Sequence, residues 1–320
     1  YEKNQILASC GAKHSFYNLA QVLWQAGDEV IIPAPYWVSF PEIVILSGAR
    51  PLIVHAGAEQ DFKITPEQIE NAVTPNTKAI LINSPSNPTG SAYDKNELEK
   101  LAEVALRHNL LIITDEIYEQ IVFDGFQHTS IASISQEVQK QCVVINGVSK
   151  SYAMTGWRIG YIAAGDPEIV KQVGKLQGQS TSNPCAVSQA ASIEALTGPL
   201  DEVHEMVREF EKRRNIIVEQ LSKIPGVTCN KPKGSFYSFP DFSGVYGKKD
   251  GNGKVIKGSI DFTDYLLSAE KVAIVPGIAF GADAHARLSF ATSLDKIEAG
   301  VHRIKEAISR LRPAAGGNEQ

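Results

Sequence analysis

The chain has 320 residues, with 31 Lys+Arg against 36 Asp+Glu and a formal net charge of −5. That length suits about two domains, or one large α/β domain with a satellite. Hydrophobic residues at 43% and charged residues at 21% argue against general disorder, and the mildly acidic balance gives no expectation of a nucleic-acid surface.

Short apolar β-type runs alternate with longer stretches of helical period. Candidate strands lie at 5–8, 29–33, 50–54, 79–83, 110–115, 143–146 and 161–164. Several are continuous Ile/Leu/Val, the pattern of strands covered by helices on both faces. Helices are expected at 15–26, 66–72 and 95–108. Thr65, Pro66 and Gln68 form a cap, a first-turn proline and a capping-box amide, and Asp94 with Glu97 repeats the box. The alternation predicts a mainly parallel, doubly wound sheet through about residue 165. From about residue 202 the texture changes to a long charged helix (202–224), strands at 226–230, 235–240, 271–276 and 285–290, and a closing helix at 293–311. The Gly/Lys-rich stretch 244–258 reads as an exposed loop. The expected division is 1–201, 202–312 as a smaller α+β domain, and a disordered tail at 313–320.

Cys10, Cys142, Cys185 and Cys229 lie far apart without CxxC or Cys/His ligand spacing, so reduced thiols in a reducing compartment are expected. No apolar run has the roughly 18 residues of a membrane helix, and the opening YEKNQILASCGAK lacks a signal-peptide layout. These features suggest a soluble cytoplasmic protein with no membrane or nucleic-acid partner. The 7 histidines show no ligand spacing, and no metal is expected. Phe16 and Trp24 read as core, and Trp157 as core or pocket flank.

Ligands of an open α/β sheet bind beyond the carboxyl ends of its strands, so polar residues there carry the chemistry. Ser9-Cys10-Gly11-Ala12-Lys13 precedes a helix and is either a plain tight turn or an anion cradle of free backbone N–H groups. Asp115, ending a strand, is a helix cap, a metal ligand or a fixed anion for a cationic ring nitrogen. Glu116 points the other way in extended chain. Asn87 sits in the constrained loop SPSNPTG. Lys150 follows a strand and is either a solvated surface lysine or an amine in the crevice with a lowered pKa. Together these are an anion cradle, a ring-nitrogen anion, a phenol (Tyr118), an amide, an amine and two guanidiniums. Pyridoxal 5′-phosphate requires that set.

The motifs PYWVSFPE (35–42), NSPSNPTG (83–90), DEIYE (115–119), SKSYAMTGWRIGY (149–161) and ARLSFAT (286–292) resemble the fold-type I pyridoxal-phosphate aminotransferases, class I. The likeness is greatest to the prokaryotic and plastid-type aspartate aminotransferase group and covers residues 5–311. It implies that Lys150 forms the internal Schiff base and shuttles the substrate proton, and that Asp115 pairs with the pyridine nitrogen. Tyr118 and Asn87 would hydrogen-bond the ring oxygen, and Trp37 would stack on the ring. The backbone of Gly11, Ala12 and Lys13, with Arg158, would hold the phosphate, and Arg287 the substrate α-carboxylate. Lys13 would reach the second carboxylate of a dicarboxylic substrate, although it also reads as an exposed helix-start lysine. Many relatives have a phosphate-binding serine where this chain has Gly147, and Ser149 is the expected substitute.

The implied reaction moves the amino group of L-aspartate to 2-oxoglutarate. Prephenate or aromatic substrates and a β-lyase reaction are the alternatives, with amino acids and 2-oxo acids as small-molecule partners and a homodimer as the assembly. The family pattern also places a substantial segment ahead of the position that Tyr1 occupies. That segment would carry a transit peptide if the protein is plastidic. A chain that retains the cofactor lysine without turnover is a further expectation to be weighed.

Overall fold

The computed structural model describes residues 1–313; the tail expected at 313–320 lies, after Pro313, outside the described residues. Its main sheet comprises β1 (Ile6–Ser9), β2 (Glu29–Ala34), β3 (Arg50–His55), β4 (Thr77–Asn83), β5 (Leu111–Asp115), β6 (Cys142–Gly147) and β7 (Gly160–Ala164). The seven strands run in the order β1-β7-β6-β5-β4-β2-β3. Pairing is parallel from β3 through β2, β4 and β5 to β6, and β7 is antiparallel to both β6 and β1.

The helices that connect and follow these strands are α1 (Ala12–Leu23), α2 (Ser39–Leu46), α3 (Pro66–Ala72), α4 (Lys95–Arg107), α5 (Gln136–Lys140) and α6 (Pro167–Ser180). Alternate side chains of one strand enter opposite layers. Val30, Ile32 and Leu81 pack with Phe16, Leu19 and Val173 of α1 and α6, while Ile31, Ile80 and Ile82 pack with Leu98 and Leu101 of α4. Burial on both faces explains why these strands are unbroken apolar runs. Phe16 and Trp24 are core residues, as expected.

Both capping boxes form. Thr65 Oγ1 accepts from the Gln68 amide at 3.3 Å while Gln68 Oε1 accepts from the Thr65 amide at 2.9 Å, and Asp94 and Glu97 pair likewise. The first helix starts three residues earlier than expected, at Ala12, because Gly11 at φ 95° turns the chain straight from β1 into it. Such a φ is open to glycine without the clash a Cβ brings.

The remainder holds α7 (Ala186–Thr197), α8 (Asp201–Ser222), α9 (Ser259–Glu270) and α10 (Leu294–Ser309), with β8 (Tyr237–Ser238), β9 (Val275–Pro276) and β10 (Ala286–Ser289) as a 3-stranded antiparallel sheet ordered β8-β10-β9. These strands are shorter than expected, and 226–230 forms only a single bridge, Thr228 to Asp241. The stretch 244–258 is not simply exposed. Val245 and Ile256 are fully buried in this second core, and Lys249 bridges Arg312. That core also takes in Ile117, Tyr118, Ile121 and Phe123, the segment directly after β5. The end of the central strand is thereby held against the small sheet, and the site lies at this junction.

Candidate active site

The carboxyl ends of β4, β5 and β6 open onto a cavity of about 330 Å³. Its lining brings together Ala12, Lys13, Trp37, Asn87, Asp115, Tyr118, Ser149, Lys150, Arg158 and Arg287. Gly11 is not in the wall but backs it. A Cβ built on Gly11 would fall 2.4 Å from Arg158 Nη2, and one on Gly160 would fall 2.2 Å from the Ala12 amide nitrogen. Both glycines therefore let the guanidinium and the start of α1 converge. The first amides of a helix have no intrahelical acceptor, so this end of the cavity presents N–H donors beside a cation. Arg158 is held in left-handed backbone, φ 56° and ψ 49°, with Nη1 donating to Thr155 O at 2.8 Å. A non-glycine residue in that region is strained, and such strain collects where function fixes a side chain.

At the opposite end, Asp115 is almost fully buried and accepts from the Ile117 amide at 3.1 Å. Burial pushes its pKa up to about 7, against the lowering effect of that amide and of Lys150. A carboxylate placed so deep is costly unless a cation neutralises it. Lys150 has its pKa lowered, first by burial and then by the charges of Arg158 and Arg287, with Asp115 opposing. Its amine is thus more readily unprotonated than an ordinary lysine's.

Arg287, on β10, donates from Nη1 to Asn87 Oδ1 at 2.8 Å, and its guanidinium lies 4.4 Å from the Tyr237 ring centroid and 4.9 Å from that of Phe280. Two aromatic faces and an amide thus fix the fork. Lys13 Nζ sits 4.9 Å from the Trp37 ring centroid, which places the helix-start lysine on the cavity side.

Further lining residues stand outside the expected set, Asn83 of the NSPSNPTG motif among them. Asn83 donates from Nδ2 to Asp115 O at 3.0 Å and accepts from the Asn87 amide at 2.9 Å, so it ties the ends of β4 and β5 to the loop carrying Asn87. The 83-to-115 strand register would have revealed it. Tyr237 also lines the cavity, with its hydroxyl 3.2 Å from that of Tyr118. Trp157 departs from both expectations, being 48% exposed and absent from the lining.

Four cations (Lys13, Lys150, Arg158 and Arg287) and one carboxylate, Asp115, line this cavity. That balance suits a ligand with several anionic groups and one cationic atom. A family model for class I and II aminotransferases matches residues 1–304. The chain belongs to the class I and II aminotransferases. It is 51% identical over 304 residues to an aspartate aminotransferase of Bacillus sp. (strain YM-2), covering 95% of this chain and 76% of that one. It is 44% identical to a Rickettsia bellii protein named a probable aspartate/prephenate aminotransferase, over 97% of this chain and 78% of that one. The crystal structure of the Rhizobium meliloti aspartate aminotransferase superposes with a TM-score of 0.94 at 42% identity, over 97% of this chain and 78% of that one.

Class I aminotransferases use pyridoxal 5′-phosphate, and the residues present fit it. The anion cradle at Gly11 and Arg158 suits the phosphate, and the buried Asp115 suits a protonated ring nitrogen. The place at which the resemblance implies a phosphate-binding serine is closed around Gly147 in this aminotransferase. A Cβ on Gly147 would fall 2.7 Å from Ile159 O and 2.9 Å from Gly160 Cα. Ser149, buried in the lining, is the hydroxyl available on that side.

Glu116 does point away from the cavity. With Glu119 and His128 it forms a group whose ligand-type atoms lie within 4.8 Å of one another. Glu116 Oε2 is 3.3 Å from His128 Nε2, while Glu116 Oε1 accepts from Ser130 Oγ at 2.8 Å and Thr114 Oγ1 at 3.1 Å. Hydrogen bonds within the fold thus occupy Glu116. Among the described residues all four cysteines are free, and no helix is long and apolar enough to cross a membrane.

Proposed function

We propose that this aminotransferase moves the amino group of L-aspartate to 2-oxoglutarate, giving oxaloacetate and L-glutamate. The observation that carries the dicarboxylic reading is Lys13. With Arg158 assigned to the cofactor phosphate and Arg287 to the α-carboxylate, Lys13 over Trp37 supplies a third cation for a second carboxylate. The relatives named for aspartate support the same reading.

When bound, pyridoxal 5′-phosphate supplies an electron sink for the pair left when an amino acid loses its α-hydrogen. The rest falls to the chain. Asp115 holds the proton of the ring nitrogen, and its burial strengthens that pairing. Lys150 anchors the cofactor and then carries a proton on Nζ, for which its lowered pKa prepares it. Asn87 and Tyr118 would hydrogen-bond the cofactor's ring oxygen, and Trp37 would stack on the ring. The backbone of Gly11, Ala12 and Lys13, with Ser149 and Arg158, would hold the cofactor phosphate, which leaves the Lys13 side chain for the substrate. Arg287 grips the α-carboxylate in a bidentate fork, and Asn87 orients it.

The reading includes a division into residues 1–201, carrying the cofactor, and 202–312, carrying the carboxylate fork. Two separate sheets support it. It also includes a homodimer, for which the exposed Ile193 and Leu196 of α7 offer an apolar face beside Tyr1 and Ile6, and a cytoplasmic setting in keeping with free thiols.

A coupled assay for oxaloacetate from aspartate tests the reaction. Product that requires 2-oxoglutarate is expected, and a keto acid released without it would point to a lyase. Transfer from prephenate-derived or aromatic amino acids in preference to aspartate would transfer the assignment to the second group of relatives. Lys13→Ser is expected to raise KM for aspartate about 10- to 100-fold, the loss of one charge-assisted hydrogen bond. KM for alanine should change little. Equal losses on both substrates would remove Lys13 from the substrate's second carboxylate.

A further inference from the structure

Tyr237 is the one buried tyrosine of the cavity to which the proposed mechanism gives no task. It lies on β8, paired through Ser289 with the strand that carries Arg287, and only 8% of it is exposed. Its ring face lies 4.4 Å from the guanidinium carbon of Arg287. Its hydroxyl accepts from that of Tyr118 at 3.2 Å, at the end of a contact spanning 119 residues of chain. The two rings meet edge to face, 6.0 Å apart at 77°. One side chain therefore touches both the residue assigned to the substrate carboxylate and the residue assigned to the cofactor ring oxygen.

We propose that Tyr237 is a positioning residue with two separable ends: its hydroxyl orients the Tyr118 phenol toward the ring oxygen, and its ring supports the Arg287 fork. A phenol has one proton and two acceptor sites. Tyr118 can direct its proton to the ring oxygen only if it stops donating to Tyr237. Tyr237 must then be the donor of their shared bond. A hydroxyl that accepts one hydrogen bond donates a stronger one, so Tyr237 raises the donor strength of Tyr118. The stronger donor stabilises negative charge on the ring oxygen. The site is dry enough for this to count. Tyr118 is buried, and burial holds its phenol well above the usual range, so it keeps the proton it donates. The ring end acts independently. Tyr237 and Phe280 flank the guanidinium, which leaves Arg287 little freedom to leave the direction set by Asn87.

The inference rests on the cofactor assignment above, and the test separates the two. The pyridoxal-phosphate-loaded wild type, Tyr237→Phe, Tyr237→Leu, Tyr118→Phe and the Tyr118→Phe/Tyr237→Phe double variant are titrated with pH, following the visible band of the bound cofactor. KM for the amino acid is measured in parallel. Tyr237→Phe is expected to move the titration midpoint up by about 0.5 pH unit, the size of one neutral hydrogen bond, with KM within about twofold of wild type. Tyr237→Leu should show the same shift and a KM about fivefold higher, through loss of the ring–cation contact. The double variant should titrate as Tyr118→Phe alone, because the hydroxyl acts through Tyr118. An unshifted midpoint in Tyr237→Phe overturns the inference, as does a double variant with fully additive shifts. A KM that rises equally in the Phe and Leu variants also overturns it, since the hydroxyl would then act on substrate. A wild type with no pH-sensitive visible band refutes the underlying cofactor assignment instead.

Discussion

Lys150→Ala is expected to lower kcat by about 10⁴-fold or more, the upper range for loss of an acid–base group, compounded here by loss of the covalent anchor. The folded state should not suffer. Burial and two guanidiniums lower the Lys150 pKa, so below its unfolded value of 10.5 the folded chain holds that proton less tightly than the unfolded chain does. Lysine at this position therefore detracts from stability at neutral pH, and stability should rise as pH climbs toward 10.5. The variant should melt at or above the wild-type temperature at pH 7. Single-turnover kinetics and thermal melting on one preparation check both halves. A variant that keeps its rate, or one that loses rate only because it unfolds, would contradict the assignment.

Asp115→Asn should separate stability from activity more sharply. The amide cannot pair with a protonated ring nitrogen, and breaking a buried ion pair costs about 3–5 kcal/mol, or roughly 10²- to 10⁴-fold in rate. Without cofactor the sign reverses. The folded carboxyl titrates at about 7 and the unfolded one at 3.8, so the folded chain binds the extra proton between those values. Its contribution to stability is lost as pH rises from 3.8 to about 7 and stays lost above. The cofactor-free wild type should thus lose stability across that window, and the Asn variant should be flatter and melt higher at pH 8. The measurement is Tm against pH for both proteins, with activity of the loaded forms beside it. Parallel Tm profiles would show that Asp115 is not held against its burial.

The site's logic was legible to the extent that it is local. Strand-end residues such as Asp115 and Lys150 are found by reading apolar runs to their polar ends, because buried parallel strands leave unbroken Ile/Leu/Val signatures. The two capping boxes were legible because their partners stand three residues apart. What was hidden depends on distant pairing. Asn83 has meaning only through the register that sets it beside Asp115, and Tyr237 only through its contact with Tyr118. The small sheet was overestimated because stretches such as 226–230 have strand-like composition but find just one bridging partner. The Gly/Lys-rich stretch 244–258 departs in the other direction. Its polarity masks two residues, Val245 and Ile256, that anchor it in the core. Trp157 reads as apolar bulk, yet the turn that holds Arg158 in left-handed backbone leaves the indole outside.

Covalent attachment of the cofactor at Lys150 is the claim on which the rest depends. Loading the chain with pyridoxal 5′-phosphate, reducing with borohydride and mapping peptides by mass tests it most directly. A single pyridoxyl group is expected on the peptide carrying Ser149-Lys150-Ser151. An unmodified Lys150, or a label on Lys13 in its place, would contradict it.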